Sequence, residues 1–479
     1  MEPTRNFDTN VQLLKYKILK SVVRHFDDGT LREAYHDIPL EIIPGPKPTM
    51  RCCIYKERAI VGERLKMALG GDRNNPNVIE VISIACDECP VNRFHISRAC
   101  RGCIAHRCEH ACPKGAIHVV DGRARIDQDK CIECGRCAFA CPYSAIIEYT
   151  RPCENACKIK AISMDENKAA KIDNDKCISC GACVYQCPFG AIVDKSFLLD
   201  ALQLLRDSAS NRNYRVYAVV APSVSSQFSY AKTGQVVTGL KRLGFHSVVE
   251  AALGADMVAW EEAAELAEKG FLTSSCCPAF VAYIRKSFPQ MADKISHNPS
   301  PMVAISDFIK KLDPGAKTIF IGPCTAKKLE FQEEPLHAVD CVLTFEELQA
   351  LFDARGIEIE HLEEDLLDNA SYYGRIFARS GGLSDAVAEA LKERGITPEQ
   401  FEVKPLACDG IEQCKVALLK ASRNLLPENF IEGMACVGGC IGGAACVSHG
   451  PKDKNEVNKY GQQALEKSIT DAIAVTKMM

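Results

Sequence analysis

Four cysteines occur in three C-terminal stretches, TSSCCPAF (Cys277), IGPCTAKK (Cys324) and GMACVGGC (Cys436 and Cys440), each set among tight-turn residues. Thiolates are the soft ligands that iron-sulfur clusters select, and neighbouring glycine and proline let the backbone come close to an inorganic cube. The spacing Cys436-x-x-x-Cys440 sets two sulfurs on one side of a helical turn or turn-like loop, so one cluster can receive both. The four cysteines read as the ligands of a single metal centre.

Sixteen of the 27 cysteines lie between Cys86 and Cys187. Most follow the bacterial ferredoxin pattern C-x-x-C-x-x-C-x-x-x-C-P. Cys131, Cys134, Cys137 and Cys141 form one copy, Cys177, Cys180, Cys183 and Cys187 another, and CRGCIAHRCEHACP is a looser third with Cys100, Cys103, Cys108 and Cys112. In such domains the fourth cysteine of one motif crosses to the neighbouring cluster. One cube is therefore expected from Cys100, Cys103, Cys108 and Cys141, and a second from Cys131, Cys134, Cys137 and Cys112. RPCENACKIKAI repeats the tail of CEHACPKGAI and supplies Cys153 and Cys157, but no C-x-x-C precedes it locally. The missing half is sought in Cys86 and Cys89 of ACDECP, folded back against Cys153 and Cys187, so that sixteen cysteines serve four 4Fe4S cubes. The alternative is three accessory clusters, with Cys86 and Cys89 unligated or holding zinc. Four is the favoured count, and the array reads as an electron wire.

The three C-terminal stretches resemble, in the same order, the three signature motifs of the FeFe hydrogenase catalytic domain, over residues 214 to 450. The resemblance implies a two-lobed α/β catalytic domain and an H-cluster, a 4Fe4S cube linked to a di-iron centre carrying CO, cyanide and azadithiolate. Cys277, Cys324 and Cys436 match the cube-only ligands and Cys440 the bridging one. Cys276 matches the non-ligating cysteine that exchanges protons with the azadithiolate amine. Glu262 and Glu265 share a helix face and match two relay glutamates, with Ser296 between them in KISHNPSP. Lys327 matches the lysine that pairs with a cyanide ligand, and Pro222, Ser223, Pro301, Phe377 and Met434 match pocket-lining positions. The implied reaction is reversible reduction of protons to H2, with a ferredoxin-like carrier and hydrogenase maturation proteins as partners, in an anaerobic setting.

Several residues depart from that pattern. Gly322 stands in place of methionine, Met302 of glutamine, Phe280 of tryptophan and Lys269 of the outermost relay arginine. The first motif carries an extra serine and the last ends GGAAC. These point to a divergent monomeric branch with ferredoxin repeats. Two other readings stay open: an H2 sensor of low turnover, and a hydrogenase-like iron-sulfur assembly scaffold without the di-iron site. Cys276 and Lys327 weigh against the scaffold.

The elements that must position these residues follow from patterning. The apolar runs YRVYAVV, HSVVEAAL, KTIFIGPC and AVDCVLTF alternate with helical stretches such as MVAWEEAAELAEKG and PMVAISDFIKKL, which predicts α/β lobes with cysteines at strand ends. The expected division is an N-terminal helical region over 1–84, an α+β ferredoxin-like cluster domain over 85–200 and the catalytic domain over 201–479. Residues 1–84 read as a lid docked over the clusters. The adjacent Cys52 and Cys53 read as buried small hydrophobes, and Cys341 as core. With 58 basic and 62 acidic residues and a net charge of -4, there is no electrostatic case for nucleic acid or a membrane surface. The opening residues have no signal-peptide pattern, so a cytoplasmic location is expected.

Overall fold

The computed structural model describes residues 5–335 and 337–477 of the 479-residue chain. The chain is α/β. The four apolar runs form one parallel sheet, in the order Ser247–Glu250, Val216–Val220, Lys317–Gly322, Cys341–Thr344. Both faces of a parallel sheet are covered, which is why these strands are apolar along most of their length instead of alternating. Cys341 is fully buried in this core. A second parallel sheet of three strands, Leu272–Thr273, Phe430–Met434 and Pro405–Asp409, has the 430–434 strand at its centre. Helix Ala251–Lys269 packs against helices Pro301–Leu312 and Gly382–Glu393.

The cysteine-rich region forms two ferredoxin-type units. In the first, Phe94–Ile96 pairs with Ile146–Glu148 and Ile117–Val120 with Arg123–Ile126, around a small core of Phe94, Ile117, Ala124 and Ile146. In the second, Ile162–Met164 pairs with Ala170–Ile172, while Ile79–Val81 pairs with Ile192–Asp194. That last pairing returns the segment before Cys86 to the end of the second unit. A local device recurs four times, in CPKGAI, CPYSAI, CKIKAI and CPFGAI. The alanine amide donates to the sulfur four residues earlier, at 3.2, 3.4, 3.2 and 3.2 Å for Cys112, Cys141, Cys157 and Cys187. The residue before each alanine is left-handed: Gly115, Ser144, Lys160 and Gly190. That bend aims the amide back at the sulfur.

Helix Asn10–Asp27 opens with a Thr9/Gln12 capping box that satisfies its first amides. Its apolar face, including Ile18, Leu19 and Val22, enters the main core and packs on helix Phe345–Ala354. Tyr16 Oη donates to Asp353 at 2.9 Å, and Arg5 pairs with Asp353 at 2.8 Å. This helix is anchored in the main core, while its start touches the second ferredoxin-type unit through Asp8 and Tyr185, and helix Ile54–Ala68 contributes Ile60 and Met67 to the core around Cys153 and Cys187. Cys52 and Cys53 are exposed, contrary to the sequence expectation. They lie at a helix start, where the Cys53 sulfur accepts the Lys56 amide at 3.4 Å, a position that faces water rather than the core.

Candidate metal centres

Each C-terminal cysteine sits where a strand ends or a helix begins. Cys277 is the N-cap of helix Pro278–Ser287. Cys324 follows strand Lys317–Gly322, and Cys436 follows strand Phe430–Met434. The turn from Cys436 to Cys440 closes with the Gly439 amide donating to the Cys436 carbonyl at 3.2 Å. Gly438 and Gly439 are both left-handed there, so the two sulfurs share a turn-like loop instead of a helix. The loops then meet. The Ala445 amide donates to the Pro323 carbonyl at 3.1 Å, and the Ser274 amide to the Ile431 carbonyl at 2.9 Å. All four thiols fall within one another's electrostatic reach, and burial with neighbouring sulfurs pushes Cys324 up to about 11 and Cys440 to about 12. Thiols gathered this closely in the interior are disfavoured as bare thiolates, and a bound cation cluster would supply the positive charge that lets them ionise.

Neighbouring sulfurs act on the accessory cysteines as well. Cys108 feels Cys103 and Cys141, and Cys137 feels Cys131 and Cys112. Cys153 feels Cys187, Cys86 and Cys89. Cys157 feels Cys177, and Cys183 feels Cys180, Cys177 and Cys157 and, across to the neighbouring cysteines, Cys153. The Cys177 motif leans directly on the C-terminal centre: Cys180 feels Cys277, and Thr325 Oγ1 donates to the Ser179 carbonyl at 2.8 Å. A cavity of about 910 Å³ joins the two, lined by Cys157, Cys180, Cys183, Tyr185 and Cys436.

Beside the C-terminal centre lies a file of protonatable groups. Cys276 is buried, and its thiol is pushed far up by burial and by the charges of Cys277 and Glu262. Glu262 is completely buried, which raises it to about 8. Ser296 and the Ser275 amide lie near enough to favour its charged form, yet neither oxygen has a hydrogen-bond partner. Ser296 donates instead to Glu265 at 2.8 Å. Burial would raise Glu265, but its hydrogen bonds with Lys269, Ser296 and the His297 amide outweigh that and lower it. Lys269 reaches Glu265 at 2.6 Å and His297 at 3.1 Å, and both open to solvent.

The pocket positions are likewise internal. Ser223 is fully buried and its hydroxyl has no partner, while Phe377 and Met434 are buried and Pro222 and Pro301 half-buried. Lys327 is buried, bonded to the Cys276 carbonyl at 3.4 Å and paired with Glu330 at 2.6 Å. The departures have local causes. A side chain at Gly322 would meet the Phe320 ring at 2.6 Å, so phenylalanine two residues earlier fills the space. Phe280 lies flat against Gly433. The extra serine, Ser275, donates to the Asn298 carbonyl at 2.7 Å and ties down the Ser296 segment.

Residues 214–444 match the family described as the iron only hydrogenase large subunit, C-terminal domain, and residues 124–147 and 170–193 match the 4Fe-4S binding domain. The chain is an FeFe hydrogenase-like protein. Iron hydrogenase 1 of Clostridium pasteurianum is 29% identical over 403 residues, 72% of this chain and 69% of that relative. The periplasmic [Fe] hydrogenase large subunit of Nitratidesulfovibrio vulgaris is 28% identical over 375 residues, covering 67% and 85%. The cytosolic Fe-S cluster assembly factor nar1 of Emericella nidulans is 30% identical over 182 residues, 31% of each chain. A solved variant of FeFe-hydrogenase HydA1 from Chlamydomonas reinhardtii shares the fold at a TM-score of 0.50 and 18% identity, covering 59% of this chain and 93% of its own.

One buried acid of this hydrogenase-like chain escaped the sequence reading, and three cysteines that match no sequence motif find their places in the fold. Glu432 is fully buried, accepts from the Gly381 and Ser384 amides and the Ser384 hydroxyl, and its charge reaches Cys276 and Cys440. A lone acid in the apolar run FIEGM was the available signal. Cys446 is buried and donates to the Ile441 carbonyl at 3.4 Å beside Cys440. Cys408 and Cys414 form a buried thiol pair near Cys277. Among the described residues no helix is long and apolar enough to cross a membrane.

Proposed function

We propose that this protein is a hydrogenase that interconverts protons and H2 at an H-cluster, fed through four accessory 4Fe4S cubes. One observation carries the reading. Beside the four-cysteine centre stand a buried thiol that ligates nothing in the scheme (Cys276) and a buried ammonium (Lys327). A bare cube has no use for them; a di-iron group with anionic diatomic ligands has. Cys277, Cys324 and Cys436 would hold the cube and Cys440 would bridge to the second metal site. That group supplies an open coordination position where electrons and protons combine.

The chain's own residues deliver the protons. Cys276 exchanges one at the centre, the neutral Glu262 carboxyl re-protonates it, and Ser296 links Glu265 to Glu262 by a hydroxyl rotation. Glu265 refills from Lys269 and His297 at the surface. A file of donors is required because no proton crosses a dry interior unaided.

Electrons would enter at the first ferredoxin-type unit. Ile132 and Phe139 hold the positions that Ile178 and Tyr185 hold in the second unit. There Ile178 is 2% exposed, in a core with Phe280, and Tyr185 packs against His449 in a tilted ring contact at 4.5 Å. Phe139 is 96% exposed and Ile104, between two cluster ligands, 99%. Arg101, Arg107 and Arg136 are exposed around them. That combination fits an acidic ferredoxin-like carrier.

The assembly-factor reading has a specific observation behind it, the match to nar1. An infrared spectrum of protein made together with hydrogenase maturation proteins separates the two. Bands of metal-bound CO and cyanide, with H2 turnover, are expected; their absence from iron-replete protein leaves the scaffold.

A further inference from the structure

The four accessory sets do not have equal surroundings. Among the described residues three arginines are buried, and one of them, Arg375, is paired with Glu250 away from the cysteines. The set formed by Cys86, Cys89, Cys153 and Cys187 is different. Two arginines are buried against it, Arg64 at 5% and Arg151 at 6% exposure. Neither has a carboxylate partner among the described residues, although nearly every other buried cation of this chain is ion-paired.

Arg64 approaches from helix Ile54–Ala68. Its one hydrogen bond goes from Nη2 to the Phe189 carbonyl at 3.0 Å, two residues past Cys187, and its Nε has no partner at all. Burial depresses it to about 10, with Cys187 as the charge opposing that fall. Gly190 makes the approach possible, since a side chain there would collide with the guanidinium. Arg151 comes from the other side. Its Nη1 lies 4.0 Å from Cys86 Sγ and donates to the Lys168 carbonyl at 2.7 Å, and its charge reaches Cys89. Arg51 is also near but is neutralised by Asp87 and Glu88, each at 3.3 Å. Glu154, half-buried, is the carboxylate that acts on Cys153.

An isolated buried guanidinium is costly unless an anion completes it. Four thiolates around a cube are such an anion, so the two arginines fit a cluster there. They also bias it. Reduction adds one negative charge to the cube, and a fixed desolvated cation stabilises the reduced form more than the oxidised one.

We propose that Arg64 and Arg151 make the Cys86/Cys89/Cys153/Cys187 cube the highest-potential member of the accessory relay, the one that takes the first electron and holds it. The claim rests on the four-cube reading above. The cube gains one electron from a neighbouring cube, supplied by H2 oxidation or by the carrier, and passes the same electron on with no bond made or broken. Because helix Pro152–Ala156 joins Cys153 to Cys157, and Cys183 to Cys187 is one helical turn, this reservoir adjoins the set next to the catalytic centre.

The test is an EPR-monitored redox titration of the full holoprotein, beside its iron content. Cys89→Ser identifies the signal of this cube by altering its line shape. In the unaltered protein that signal is expected first on reduction. Arg64→Met and Arg151→Met should each lower the equilibrium constant for its reduction at least tenfold, about 59 mV for one electron, while Arg64→Lys retains most of the original value. An unchanged midpoint in both methionine variants, or loss of the cube's iron in both, overturns the proposal and leaves the four-cube reading standing. Iron for three accessory cubes overturns both.

Discussion

At the scale of single residues, the proton file rests on Glu262. Its carboxyl, raised by burial to about 8, is neutral at pH 7 and able to donate. H2 evolution should therefore fall as the pH rises past about 8, and Glu262→Gln or Cys276→Ser should cost about 10²–10⁴-fold in turnover with the infrared bands intact. The same shift has a stability consequence. A carboxyl whose folded pKa lies above its unfolded value gives stability that is complete below about 4.5 and lost as the pH rises through about 8. Glu262→Gln should thus melt higher than the parent at pH 9, measured by scanning calorimetry. The grouping of the cysteines was legible in sequence because little besides metal binding places cysteines at such intervals beside glycine and proline. Arg64 was not, because an arginine on an amphipathic helix ordinarily faces water. Only the tertiary fold turns it onto a cysteine set.

Secondary-structure elements tell a similar story about patterning. The four-stranded sheet was visible since each strand is a long, nearly continuous apolar run. The second sheet was hidden: Leu272–Thr273 spans two residues, and Pro405–Asp409 is largely open to solvent. Yet it is this sheet that sets Cys277 and Cys436 in place. The elements are locked together by a buried ion network. Lys328 on helix Ala326–Glu333 binds Asp194 at 2.9 Å and Glu347 at 2.8 Å, and Lys15 on the first helix binds Asp194 at 2.6 Å and Glu346 at 2.7 Å. Removing Lys328 leaves the Glu347 carboxylate without a cation in the interior and Asp194 with Lys15 alone, so Lys328→Met should cost about 3–5 kcal/mol in denaturant unfolding. Burial alone would raise Asp194, but Lys15 and Lys328 hold it well below the usual carboxylate range. Its contribution is therefore present above the ordinary carboxylate pKa and lost as the pH falls below it.

For the whole molecule, the first ferredoxin-type unit is the part with bare apolar residues between its cluster ligands. Phe139→Asp should raise KM for a reduced acidic carrier protein several-fold while leaving turnover with a small viologen dye unchanged. A matching rise in KM with ionic strength is expected from the surrounding arginines. Neither effect was readable in sequence beyond the cluster count, because exposure depends on what each repeat packs against. The attachment of the first helix to the catalytic core was hidden for a related reason: local patterning marks an apolar face but not its distant partner. That attachment also sets a timetable for synthesis. Tyr16 meets Asp353 across 337 residues, so at ribosomal speeds the apolar face of the helix waits on the order of 20–70 s for its partner. All sixteen relay cysteines emerge within that interval. A nascent chain therefore offers its cluster segments to iron donors while the body that will enclose them is still unmade.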